Sequence, residues 1–325
     1  MRGGAGEVVR AALHAFFRHY HPAASVAPLL ALPFSAAALL SRSHPALLAP
    51  SRALSARLRG VLVAGGFPPA SQLLFLLSHG LSRRACAFVV SLPFSLSFLL
   101  LARACAVRCC SAPSRRRRDQ PPPAAVVVRE AMRASCPAMA RTQPVNCLVL
   151  LLANAAVFAT VLAAFNAAAA LRLLGSGGGR AVLALSAAGV IVYSVALANA
   201  ATVCNLATVV AAAEGRGGAR AVLRALLLLL CAGDAATAVA ASLPASLATA
   251  AVEALFQLRV MRPYIATGKV TAAMVCEGLL VAYIHAMICV LDTVITCMVY
   301  QSFKAIHSHD LLELELEEGK EDLRA

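Results

Sequence analysis

The last long apolar run of the chain, Val270 to Phe303, contains a glutamate, a histidine and an aspartate: Glu277, His285 and Asp292. At ~100° per residue on an α-helix these three fall within a stripe of roughly 80°, with Thr296 at its edge. A row of titratable groups on one helix face is the raw material of a proton or cation path. The structural reading of the same residues is different. Glu277 and Asp292 lie near the two ends of the helix, His285 alone is deep, and all three are satisfied by buried hydrogen bonds to Asn or Ser. Asp234 is the only carboxylate noted inside another apolar run, so a matching ionisable row on a second helix is not expected.

Cys109 and Cys110 form a second candidate group, close behind Cys105 and among Arg103, Arg108 and the cluster Arg115, Arg116, Arg117, Arg118. A cysteine pair at a basic membrane boundary suits S-acylation, and the four arginines suit anionic lipid head groups. The bland alternative is two unmodified thiols. Near the end of the chain, Glu313, Glu315, Glu317 and Glu318 alternate with leucines in an acidic segment. It is either a solvated tail or a weak, salt-sensitive partner of the arginine cluster.

Catalytic patterns are hard to find. The histidine of the last run has no partner nucleophile, no HExxH is present, and Gly175 to Gly179 is not followed by the Gly-Lys-Ser/Thr of a phosphate loop. The eleven cysteines are scattered through apolar runs rather than spaced for a disulfide framework or a zinc site. No catalytic, metal-binding or cofactor-binding residue is assigned, and the chain is read as a non-enzyme; an acyltransferase using His285 is the one enzymatic alternative.

The elements that must carry these groups follow from composition. With 60% hydrophobic and 14% charged residues and several long apolar runs, the 325 residues do not describe an ordinary soluble domain. The runs are continuous and rich in Ala and Leu, whereas spanning strands would alternate, so helices are the spanning element. The net charge of +14 is unevenly spread: 27 Lys/Arg face 8 Asp/Glu over residues 1–309, against 2 and 7 over residues 310–325. Arginines between apolar runs are explained by membrane topology and anionic lipid, and they lack the interleaved aromatics of a nucleic-acid surface. The expected partners are therefore the lipid bilayer, anionic head groups and other membrane proteins or a second copy, with no nucleic acid.

An internal repeat organises the first third. At an offset of 60 residues, Leu32-Pro33-Phe34-Ser35 recurs as Leu92-Pro93-Phe94-Ser95, Leu39-Leu40 recurs as Leu99-Leu100, and His19 matches His79. Each unit reads as a short interfacial helix followed by a span with a mid-membrane proline, the second interfacial helix starting at Phe67-Pro68-Pro69. The two spans cover about 23–41 and 85–107. An Arg/Pro-rich linker, read as partly disordered, follows over 111–144 and contains Pro121-Pro122-Pro123. Four more spans are expected near 145–171, 181–213, 221–251 and 270–303, then the acidic tail over 306–325. Asn154, Asn166, Asn199 and Asn205 are placed to bond between helices.

The segments Val192 to Ala200, Cys204 to Val210, Ala251 to Gln257 and Val290 to Val294, with the Leu-Pro-Phe-Ser span and the Gly66-Phe67-Pro68-Pro69 entry, resemble a family of plant multi-pass transmembrane proteins of unknown function. Some members of that family carry a label as partners of a poly(A)-binding protein. The likeness covers most of the chain outside the linker, and it implies a helical membrane bundle with no established activity. The expected fold is all-α: an integral membrane helical bundle of about six transmembrane helices and two short interfacial ones. The excess of Lys/Arg on the side of the N-terminus, linker and tail puts both termini in the cytosol. The plasma membrane and the endoplasmic reticulum are equally compatible hosts.

Overall fold

The computed structural model describes residues 4–18, 22–43, 48–66, 72–111, 123–171, 179–231 and 235–322, with side chains of the last segment followed to residue 306. All regular secondary structure among these residues is helical, and six helices are long and apolar enough to cross a bilayer. In chain order the helices are α1 (Ala5–Arg18), α2 (Pro22–Ser43), α3 (Leu48–Ala64), α4 (Gln72–Phe94), α5 (Leu100–Ser111), α6 (Ala124–Glu130), α7 (Cys136–Ala170), α8 (Gly179–Glu214), α9 (Ala219–Cys231), α10 (Ala235–Phe256), α11 (Arg262–Thr267) and α12 (Ala272–Asp322). π-turns at Ser95–Leu99, Ala131–Ser135 and Gln257–Met261 join α4 to α5, α6 to α7 and α10 to α11 without breaking the axis.

Prolines explain these irregularities. A proline within a helix removes one N–H and pushes its ring against the preceding turn, and a local π-turn widens the helix enough to relieve the clash. Pro93 precedes the first π-turn by two residues, and Pro137 and Pro263 follow the other two. Ser97 returns one bond by donating its hydroxyl to the carbonyl of Pro93 at 2.6 Å.

Packing is inverted relative to a water-soluble protein. The interior is lined by small side chains, among them Ala207, Ala211, Ala225, Ala241 and Ala286, all buried. Large ones such as Leu151, Ile191, Leu230 and Leu247 point outward and are more than half exposed. In lipid there is no hydrophobic gain in burying leucine, whereas alanine lets backbones approach and collect dispersion and polar contacts. The bundle is that of a membrane-embedded protein.

α12 is the central helix, packing on α1, α2, α5, α8, α9 and α10. Contacts fix the direction of its neighbours. Near one end, Phe16 of α1, Ala212 of α8 and Tyr300 and Phe303 of α12 share one core. Ser135 donates to the carbonyl of Ala212 at 3.0 Å there, and Gln301 to that of Cys110 at 3.2 Å. At the opposite end, Leu62 of α3 packs on Val161 and Phe165 of α7. Thus α1, the end of α5, the start of α7, α9 and the outer part of α12 gather at one pole, and α3 and α11 sit at the other.

Several boundaries differ from those expected. The run 221–251 is not one span: α9 is a separate short helix that packs on α8, and the spanning helix runs from Ala235 through Thr267. Its early half is read as a span because its leucines, Leu223, Leu226, Leu227 and Leu230, are apolar; they are exposed at the pole. The helix expected from Phe67-Pro68-Pro69 as a separate interfacial element instead runs without interruption from Gln72 into the second span, and α3 occupies the outer position. Helix also resumes at Ala124, so much of the expected linker is ordered; its remainder, with Arg115, Arg116, Arg117 and Arg118, lies outside the described residues, as does Asp234. α12 continues as helix through Asp322, into the acidic tail.

One turn has a steric requirement. Between α8 and α9, Gly217 lies against the backbone carbonyl of Ala138, in the space a Cβ would occupy, and Gly218 has φ +78° and donates its N–H to Thr142 Oγ1 at 2.9 Å. Because the colliding atom is backbone, it cannot rotate away. Gly217→Ala is expected to destabilise the bundle by roughly 1–3 kcal/mol, seen as a lower unfolding midpoint in detergent. Gly60→Ala, on α3 with open space around it, is expected to leave the midpoint unchanged or raise it slightly.

Candidate polar core of the bundle

The three ionisable residues of α12 do not converge. Glu277 lies near the pole of α11, where Arg259 of the last π-turn reaches it at 3.5 Å, and both side chains are substantially exposed. His285 is in mid-helix and only 4% exposed. Its Nδ1 is 3.0 Å from the hydroxyl of Ser35 on α2, with Cys289 Sγ at 3.7 Å and the Phe34 ring beside it. Asp292 faces α8 and α5: Asn205 Nδ2 donates to its carboxylate at 3.4 Å, and both residues line a small cavity together with Arg103 of α5. One face of α12 therefore contributes to three separate junctions, each with a different segment.

The serine at His285 belongs to the repeat. Ser35 is the last residue of the first Leu-Pro-Phe-Ser unit, is fully buried, and is aimed at the histidine rather than at the carbonyl freed by Pro33. α2 packs against α4, the π-turn at Ser95–Leu99 and α5. Arg83 Nη2 donates to the carbonyl of Arg42 at 2.9 Å, so an early part of α4 meets the end of α2. The two repeat units therefore run antiparallel.

Their arginines become equivalent once the π-turn is counted. A π-turn inserts one residue into a helix, so beyond Leu99 the repeat offset grows from 60 to 61 and Arg103 takes the position of Arg42. Arg42 pairs with Glu253 of α10, next to the bond from Gln257 Nε2 to Ser43 Oγ at 2.6 Å. Arg103 and Asp292 line the same cavity. Each repeat thus offers one arginine to one acid of the second half of the chain, on α10 in one case and on α12 in the other.

Arg42, Arg103 and Glu253 are the functional-looking residues that reading the sequence missed. Glu253 lies just past the apolar run, and Arg42 and Arg103 look like topology charges. The signal available was the repeat itself, obscured by the one-residue shift. Of the predicted asparagine contacts, Asn205 reaches α12, Asn154 accepts from Tyr193 at 2.8 Å and Asn166 reaches the carbonyl of Gly65 at 3.5 Å, whereas Asn199 bonds its own helix. Asn146, not singled out, ties α7 to the Cys204 carbonyl and to Thr208. Cys109 and Cys110 end α5, half-buried, at the pole shared with α1. No group of three metal-ligating side chains gathers among the described residues.

Fold and polar core together define an all-helical, membrane-embedded bundle joined by hydrogen bonds and ion pairs between helices. Residues 139–321, more than half of the chain, match the model of a family described as a domain of unknown function (DUF8558), and the chain belongs to that family. No curated protein and no solved structure matches it.

If the Ser35–His285 contact joins α2 to α12, the two residues should be energetically coupled. Ser35→Ala and His285→Ala are each expected to lower stability, with a coupling of about 0.5–1.5 kcal/mol in a double-mutant cycle followed by SDS-induced unfolding. Ser35→Ala combined with Ser194→Ala, whose hydroxyl bonds its own helix, should be additive.

Proposed function

We propose that the protein is a non-catalytic, multi-pass membrane scaffold or assembly subunit, with both termini in the cytosol. The observation that carries the reading is the dispersal of the α12 face: Glu277, His285 and Asp292 are each engaged by a different segment, Arg259, Ser35 and Asn205. Groups used this way act as polar joints between helices, worth most where no water competes for them. The cytosolic assignment is supported by the count of Lys/Arg along the sequence, which is higher for the N-terminus, the Arg/Pro-rich linker, the Glu214 loop and the tail together than for the loops of the other side, since positive charge favours the cytosolic side. Cys109 and Cys110 then lie at a basic cytosolic boundary where S-acylation would pin the neighbouring segment to the surface. Anionic lipid and other membrane proteins are the partners this arrangement suits.

A transport reading has one observation in its favour: antiparallel repeats with irregular helices near the bilayer centre are the usual frame of secondary transporters. Reconstitution separates the two. Vesicles carrying the protein should show no pH-dependent cation or proton flux above empty vesicles; a flux abolished by Glu277→Gln or Asp292→Asn would overturn the scaffold reading. The same variants should differ in stability. Loss of the exposed Glu277–Arg259 pair should cost under ~1 kcal/mol, and Asp292→Asn, next to Arg103, should cost more.

A further inference from the structure

The cavity between Arg103 and Asp292 is lined by α5, α7, α8 and α12, through Arg103, Val107, Met139, Asn205, Thr208 and Asp292 among others. It offers about 10 Å³ to the centre of a water-sized probe, near the minimum for one water molecule. Two polar groups at its wall are under-used. Arg103 Nε is buried with no hydrogen-bond partner. Asp292 receives the Asn205 amide at 3.4 Å, longer than a good N–H···O bond.

A guanidinium whose Nε is buried and a half-buried carboxylate lining the same cavity need a ligand that accepts from one and donates to the other. A second cation would be repelled by Arg103, and an anion by Asp292. A hydrocarbon fragment would leave both polar groups unmet. A water molecule meets each demand: its oxygen accepts from Nε–H, one hydrogen goes to the Asp292 carboxylate, and the other can reach the oxygen of Thr293 or Thr296. Those two hydroxyls already donate to backbone carbonyls, so they remain as acceptors.

We propose that this cavity is a specific site for a single bound water that bridges Arg103 and Asp292, making them a water-separated ion pair inside the bundle. The site joins the N-terminal repeat to the family domain, since Arg103 precedes the matched residues and Asp292 lies within them. It fixes the α5–α12 junction without direct contact of the charged groups.

Met139 supplies the probe. It lines the cavity and is 1% exposed, and Met261, 3% exposed in a different core cluster, is the internal control. X-ray radiolysis of the full-length protein in nanodiscs makes hydroxyl radicals from bound as well as bulk water; photolysis of added peroxide makes them in the bulk only. Met139 should be oxidised several-fold faster than Met261 under X-rays, and both should be equally inert under photolysis. In Arg103→Leu/Asp292→Leu, which replaces the pair with apolar groups, Met139 should fall to the rate of Met261 while Met261 is unchanged. Equal X-ray rates in the native protein overturn the site. So does fast photolytic labelling of Met139, which would mean open access, or X-ray labelling that survives the double substitution.

Discussion

The constraint on which this bundle rests is the cost of a polar group in hydrocarbon. Every helix can satisfy its own backbone, but Glu253, His285 and Asp292 cannot satisfy themselves, and leaving them unmet in the bilayer would cost several kcal/mol each, of the order of ~3 for an ionised group at mid-depth. Their partners are therefore brought in from distant parts of the chain: Arg42 for Glu253, Ser35 for His285, Asn205 and Arg103 for Asp292. Alanine-lined contacts let the helices approach without choosing a register, since one small residue packs much like the next. The polar pairs choose it. A one-residue slip of α2 along α12 would carry Ser35 about 100° round its helix and away from His285.

Much of the architecture is legible because lipid as solvent imposes a simple grammar. Continuous apolar runs mean helices, and five of the six spanning helices fall where the runs fall. The failures have physical causes. α9 reads as the start of a span because exposed leucine at a membrane surface and exposed leucine in the bilayer interior look alike in sequence; only the packing of α9 on α8, with α10 on α12, separates them. The ordered stretch from Ala124 is hidden because prolines and arginines also mark disorder, yet Arg108 and Glu130 pair at 2.9 Å across the ends of α5 and α6 and help to hold it.

The polar core was half legible. Glu277, His285 and Asp292 stand out by residue type, and their shared stripe is real in the helix. What a stripe cannot disclose is whether its members serve one partner or several. Residues on one side of α12 span so many turns that they meet different neighbours: the π-turn before α11 at one end, α2 in the middle, α5 and α8 further on. Glu277, so near the pole that Arg259 is itself exposed, has the weakest claim to a special role.

The division of labour between the two halves of the chain follows from the same economy of polar groups. The family domain contributes the acids and the histidine, and the N-terminal repeat contributes the arginines and the serine. A repeat folded antiparallel presents its equivalent residues to different neighbours, so one short motif used twice serves two acids on different helices, Glu253 of α10 and Asp292 of α12. The π-turn after Pro93 is then more than a relief of strain. By adding one residue between Ser95 and Arg103, it turns the arginine about 100° onto the face that looks at α12, whereas an unbroken helix would present Ala102 or Ala104 there. The irregularity in the second repeat is what lets an imperfectly copied sequence occupy the position that Arg42 holds in the first.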